Sequence, residues 1–341
     1  MGRLYLTDSI TPIVREGVRP EWRLWAALWT VYLVWGSTYL AIKVSVQTLP
    51  PLLSAGMRFV AAAGVLACVL GVVGSSLRVT RHEALSAGGL GVALLTCGVG
   101  VVTLAETRID SSTAAMIAGS VPLQMIVMRS LARERVASAT RLAAAVGITG
   151  LALIVIPGGA SGGSTAVGLA LMLGATISWS TGSFVSRRLT LPANTFVATV
   201  YEMFGGGIVL VVGALALGEW RDVHLDAFSG ASIAAWTYLV IAGSVVALSA
   251  YAWLLRNAPI SQVVTHQYVN PLVAIALGAL LLDETLTLTT ALGALIVIGA
   301  VFATVRSESR RTTADGSSAA GAGAATPRQS EPAPVAQSHK P

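Results

Sequence analysis

Arg58 and Glu202 are ionisable residues inside apolar stretches, and each follows a tryptophan at the same distance: Trp35 to Arg58 and Trp179 to Glu202 are both 23 residues. Within lipid such a group costs about 2.5–3.5 kcal/mol on insertion scales and is a functional candidate by default. Arg58 would attract an anionic group, and Glu202 would bind a cationic group or a coupling proton. The competing reading is a static ion pair, direct or through Glu106, that only packs the bundle. Beside them lie two matched polar strips, Trp35, Ser37 and Thr38 in one place and Trp179, Ser180 and Ser183 in the other. Their rings would stack on a substrate or gate it, and their hydroxyls would line a cavity or bridge helices. A third group is His266, Gln267, Tyr268, Asn270 and Pro271. Pro271 has no backbone donor and frees a carbonyl near residue 267, which makes Gln267, Tyr268 and Asn270 substrate-contact candidates. Pro271 and its counterpart Pro122, with Gln124 beside it, are hinge candidates.

The elements that must position these residues follow from composition. Only 11% of residues are charged and 54% are hydrophobic, against about 25% charged in soluble domains, so most of the exterior must face lipid. Ten stretches approach the roughly 20 apolar residues of a crossing helix: 24–46, 51–73, 85–105, 112–131, 142–157, 166–187, 196–218, 232–255, 261–282 and 287–305. Placing the N-terminus in the cytoplasm puts sixteen lysines and arginines on the inner side and three on the outer, which orients the chain with both ends inside. Arg58 and Glu202 then sit about seven residues into oppositely running spans. That places each roughly 5 Å from the midplane, on opposite sides of it.

The paired spacings make the chain a duplication. Residues 24–157 form a first five-helix unit and 166–306 a second; an odd number of crossings turns the second upside down, an inverted repeat. The expected fold is therefore an all-α membrane protein of ten transmembrane helices in two inverted five-helix repeats. Residues 1–23 are a polar cytoplasmic segment without a signal peptide, and 307–341, rich in Ser, Ala, Gly, Thr and Pro, are a disordered cytoplasmic tail. Trp22, Trp25 and Trp29 share one helical face and read as interfacial anchors, as does Trp220. Cys68 and Cys97 read as small buried hydrophobes. Glu134 and Glu284 read as caps or loop-packing residues, and Glu106, Arg108 and Asp110 as a solvated outer turn.

Several of these residues are similar to the EamA family of the drug/metabolite transporter superfamily. The carrying segments are Trp35-Gly36-Ser37-Thr38, Pro50-Pro51 followed by Arg58-Phe59, Ile177-Ser178-Trp179 followed by Ser186-Arg187-Arg188, and Asn270-Pro271-Leu272-Val273 with Asp283-Glu284. The likeness runs in order through nearly all of 24–306, and stretches such as Leu189-Thr190-Leu191-Pro192 look most like a bacterial inner-membrane subgroup. One departure is local: Arg133, ahead of Glu134, stands where a glycine is usual. The resemblance implies a ten-helix exporter-like carrier with a central cavity lined by spans 1–4 and 6–9.

The expected function is secondary transport, moving small metabolites, amino acids or drug-like amphiphiles outward across the cytoplasmic membrane by alternating access. The partners are a small-molecule substrate and the bilayer, with no nucleic acid. No cofactor, metal or obligate protein partner is called for, although small-residue faces would allow a homodimer. No phosphate-binding G-x-x-x-x-G-K-[ST] loop is present. The membrane subunit of an ATP-driven transporter is the first alternative, but the inner loops are too short to receive an ATPase. An intramembrane enzyme is the second, but the spans contain one Glu and one His, at unrelated depths for a shared site.

Overall fold

The computed structural model describes residues 21–134, 136–155, 164–186, 188–258, 263, 265–284 and 286–323. Among the described residues every regular element is helical. In chain order these are α1 (Glu21–Ser45), α2 (Pro51–Val72), α3 (Arg81–Ala105), α4 (Ser111–Leu131), α5 (Ser138–Val155), α6 (Ala166–Ser186), α7 (Thr195–Leu217), α8 (from Gly230 to Asn257), α9 (His266–Leu281) and α10 (Leu288–Gly323). Seven of them, α1–α4 and α6–α8, are long and apolar enough to cross a membrane. The other three carry shorter apolar stretches, Ser138–Ile154, Val269–Leu281 and Leu288–Thr304. Helices are the solution an apolar medium leaves to a single chain, because each backbone group finds its partner within the same segment.

Local chemistry sets the boundaries. Pro51 opens α2 at a position where its missing N–H is no loss. Thr80 and Glu83 close a capping box at the start of α3, the Thr80 backbone N–H donating to Glu83 Oε2 at 2.8 Å. Gly218 ends α7 in the left-handed region at φ 88°. Arg133 and Asp283, each just ahead of a glutamate, adopt the same region at φ 58° and 53°. Arg133 therefore does occupy a glycine-type backbone position.

Three helices are not regular. α3 widens to π geometry over Val92–Gly100 and α8 over Leu239–Val246. α4 is interrupted at Gly119-Ser120, so Pro122 falls at the start of its second segment, while Pro271 lies inside the continuous α9.

α7 is wedged between α2 and α3 by its three glycines. A Cβ on Gly205 would lie 2.6 Å from Gly88 Cα, and one on Gly207 would lie 3.0 Å from the Val60 nitrogen. Close approach, not bending, is what Gly205-Gly206-Gly207 provides. α5 and α10 cross in the same way, Gly150 against Gly293, and pack mainly on each other.

Two expectations need revision. Cys68 and Cys97 are exposed, because the outside of a lipid-facing bundle is as apolar as its inside and a thiol is at home on either. α10 runs on to Gly323, into the segment expected to be disordered, as the continuation of a helix already nucleated. Residues 1–20 and 324–341 lie outside the described residues. Trp22, Trp25, Trp29 and Trp220 are all exposed, as anchors must be.

Candidate functional site

The candidate residues gather in two clusters, each built around a π stretch. In the first, α1 and α2 meet α8. Trp35 Nε1 donates to the Gly243 carbonyl at 3.2 Å, the Thr38 side chain borders Gly243, and Arg58 Nε donates to Ser244 Oγ at 3.1 Å. Ser37 Oγ shares a 2.6 Å hydrogen bond with Tyr238 OH. Arg58 is 6% exposed and its guanidinium stands 5.0 Å from the Phe59 ring centre. A buried guanidinium needs such donors' partners to offset lost hydration.

α9 completes this cluster. Trp35, Tyr251 and His266 form an aromatic trio with ring centres 5.0–5.5 Å apart. His266 is 4% exposed and hydrogen-bonds to the Val263 carbonyl and Gln267 Nε2. Asn270, with its amide oriented to suit its neighbours, donates to the carbonyls of His266 and Tyr32. The carbonyl of Gln267, freed by Pro271, faces the α4 break at Gly119. The side chain of Tyr268 lies outside what is described.

In the second cluster α6 meets α3 and α4. Trp179 lies against Gly98 in the π stretch of α3, its ring 3.3 Å from where a Cβ would be. Ser180 is 0% exposed and donates to Gln124 Oε1, while Gln124 Nε2 donates to Thr176 Oγ1. Ser180 is thus a helix bridge in this conformation. Ser183 is half-buried, one turn from Trp179 on the same face. Glu202 is half-buried on α7, and its backbone lies against Gly91 of α3. Among the described residues it forms no ion pair with Arg58. Both tryptophans thus meet a glycine in a π stretch, Trp35 by a hydrogen bond to the Gly243 carbonyl and Trp179 by packing its ring on Gly98.

The two ends of the bundle differ. Where α3 gives way to α4, Glu284 Oε1 accepts from Ser111 N and Oγ at 2.8 Å, and Oε2 accepts from Ser112 N at 3.0 Å. Glu219 does the same for α2, accepting from Leu52 N and Leu53 N. Burial raises the Glu284 carboxyl, but the bonds from Ser112 and Ser111 outweigh it and hold the group below the usual carboxylate range. At the opposite end Glu134 is ion-paired with Arg129 at 3.0 Å and Arg188 at 3.5 Å. Of the cap or loop-packing roles expected of the two glutamates, Glu284 takes the first, and Glu134 takes the second by tying a loop to two arginines.

One expectation is overturned here. Glu106 does not belong to a solvated turn: it is 0% exposed. Arg108 is exposed as expected, and Asp110 is half-buried. Sequence reasoning also missed Tyr238, Ser244, Tyr251 and Glu219. Only the acid directly after a helix-ending Gly218 left a readable signal.

Comparison with known proteins agrees with this architecture. The profile of the EamA-like transporter family matches residues 23–156 and again 166–306. The "Uncharacterized inner membrane transporter YedA" of Escherichia coli K12 is 36% identical over 265 residues, covering 77% of this chain and 84% of the relative. The "Probable amino-acid metabolite efflux pump" of the same organism is 25% identical, covering 81% and 92%. A solved crystal structure at 18% identity superposes with a TM-score of 0.59 over 84% of this chain and 97% of its own, a likeness of fold. With seven helices able to span a bilayer, the chain is a multi-pass protein of the cytoplasmic membrane, a transporter rather than an enzyme, and it belongs to the EamA-like transporter family.

Proposed function

We propose that the chain is a secondary carrier exporting small amphiphilic or zwitterionic metabolites, amino acids and drug-like molecules among them. Ten crossings arranged as two inverted five-helix units, 24–157 and 166–306, would place both termini in the cytoplasm. The halves would rock about the substrate to alternate its access to the two faces.

The observation that carries this reading is the separation of Arg58 and Glu202. A direct ion pair would have brought them together; instead a buried cation and a half-buried acid, at equal spacing from their tryptophans, do not pair among the described residues. A zwitterion presents the complementary pair of charges, with Trp35 and Trp179 as apolar surfaces and Ser37, Thr38, Ser183, Gln267 and Asn270 as hydrogen-bonding groups. Glu202 would also serve as the site of a coupling ion. The name of the amino-acid efflux relative points to the same substrate class.

Thermal stabilisation of the purified protein against amino acids, organic cations and anionic metabolites tests the reading. A ligand at 100 times its Kd adds about 2.7 kcal/mol. The expected hit is a zwitterion whose stabilisation disappears in Glu202→Gln or Arg58→Gln. A hit untouched by both substitutions would remove these two residues from the site.

A further inference from the structure

Glu106 is the group that the transport reading leaves unused. It directly follows α3, is 0% exposed, and neither carboxylate oxygen has a hydrogen-bond partner among the described residues. An ionised carboxylate in that position would need donors. The two nearby cations direct their hydrogen bonds elsewhere. Lys43 Nζ donates to the backbone carbonyls of Glu106 and Ile109 at 2.8 and 2.7 Å, and Arg58 Nε donates to Ser244. Geometry that supplies no donor to either oxygen favours the neutral acid over the carboxylate.

We propose that Glu106 is a proton-binding site of the carrier, neutral while this end of the bundle is closed and exposed to water when Glu284 lets go of α4. The proposal rests on the carrier reading above.

The segment between Glu106 and Ser112 is pinned at both ends. Lys43 holds the carbonyls of Glu106 and Ile109, and Glu284 holds the first turn of α4 at Ser111 and Ser112. The ionisable groups around Glu106 are Tyr39 and Lys43 of α1, Arg58 of α2 and Glu284 beyond α9, with Asp110 coupled to Lys43 and Glu284. Burial raises the Glu106 carboxyl well above its usual range, and Lys43 opposes that rise. Loosening the Glu284 cap would admit water to the segment. The Glu106 O–H bond then breaks, its proton passes to water as hydronium, and the carboxylate left behind takes Lys43 and Arg58 as counterions. Reclosure requires the proton back, so the protonation state of one acid is linked to the opening of one end.

Infrared spectroscopy of the full chain in lipid nanodiscs, titrated with pH in H2O and D2O, reads this without any substrate. The expected result is a protonated-carboxyl carbonyl band that persists above the usual carboxylate range and is lost in Glu106→Gln. In Glu284→Gln the same band should titrate at lower pH. Should Glu106→Gln fail to fold, Glu106→Asp should shift the band instead of abolishing it. A spectrum identical in wild type and both Glu106 variants would show an ionised counterion of Lys43 and Arg58, and would overturn the proposal. An unchanged titration in Glu284→Gln would overturn the link to opening. Neither failure touches the ligand panel, and a blank ligand panel leaves the band intact.

Discussion

Arg58 and Glu202 follow their tryptophans at the same spacing and yet bind to different helices: Arg58 donates to Ser244 of α8, while Glu202 rests its backbone on Gly91 of α3. Their costs on removal should differ accordingly. Arg58→Gln breaks a buried, charge-assisted bond worth about 1.5–3 kcal/mol, whereas Glu202→Gln removes charge without losing a hydrogen bond among the described residues. The expected outcome is a clear fall in the thermal midpoint for Arg58→Gln and little change for Glu202→Gln, measured on protein purified in detergent. Equal losses would reveal a structural partner for Glu202.

Glu284 gives the fold a pH dependence with a definite sign. Its carboxyl is held below the usual range in the folded state. The stability it confers is therefore fully present above the unfolded carboxylate pKa and is lost as pH falls through the lower folded value. Glu284→Ala should cost about 1–2 kcal/mol at neutral pH, as the loss of a helix cap does. Thermal unfolding across an acid series should show the wild type converging on the variant at low pH. Parallel curves would mean that the cap does not depend on the charge.

Arg133 and Asp283 sit at φ 58° and 53°. A non-glycine residue there costs about 1–2 kcal/mol, and glycine returns roughly 0.5–1 kcal/mol of that through its greater unfolded freedom. Arg133→Gly and Asp283→Gly should therefore raise the thermal midpoint slightly, while Arg133→Ala should not. A fall in both glycine variants would mean that the side chains themselves hold their turns.

The crossing of α7 with α2 makes a sharper prediction. Gly207→Leu inserts a side chain 3.0 Å from the Val60 nitrogen, and overpacking against backbone costs about 1–3 kcal/mol or more. Size-exclusion chromatography should show loss of the folded species. Gly213→Ala, with nothing within 4 Å of the added carbon, should leave the elution unchanged. Loss of the folded species in both would mean that helix geometry, not contact, sets the requirement.

Much of this was legible in the sequence, and the reasons for the rest are physical. Apolar length marked the helices, and the equal Trp35–Arg58 and Trp179–Glu202 spacings pointed to two units whose tryptophans each meet a glycine in a π stretch. Glu284 was recognisable as a cap because an acid after a helix end finds a neighbouring N-terminus. Glu106 was misread because a charge at the end of an apolar run looks the same whether the next turn is wet or buried. The roles of Ser180 and Gln124 depend on which helix lies opposite, and spacing along the chain does not encode that. The π stretches left no sign, since hydrophobic pattern tolerates a single extra residue within a helix.

That extra residue has a torsional meaning. A residue advances an α-helix by about 100°, so removing the surplus from Leu239–Val246 would rotate everything beyond it by that angle. Tyr251, beyond the stretch, would swing away from Trp35 and His266, and Ser244, inside it, would shift against Arg58. In α3 the same tightening would shift Gly98, inside its own π stretch, against Trp179. The clasp between each tryptophan and the opposite half thus depends on the pitch of the helix that carries its glycine, and a return to α pitch there would loosen it.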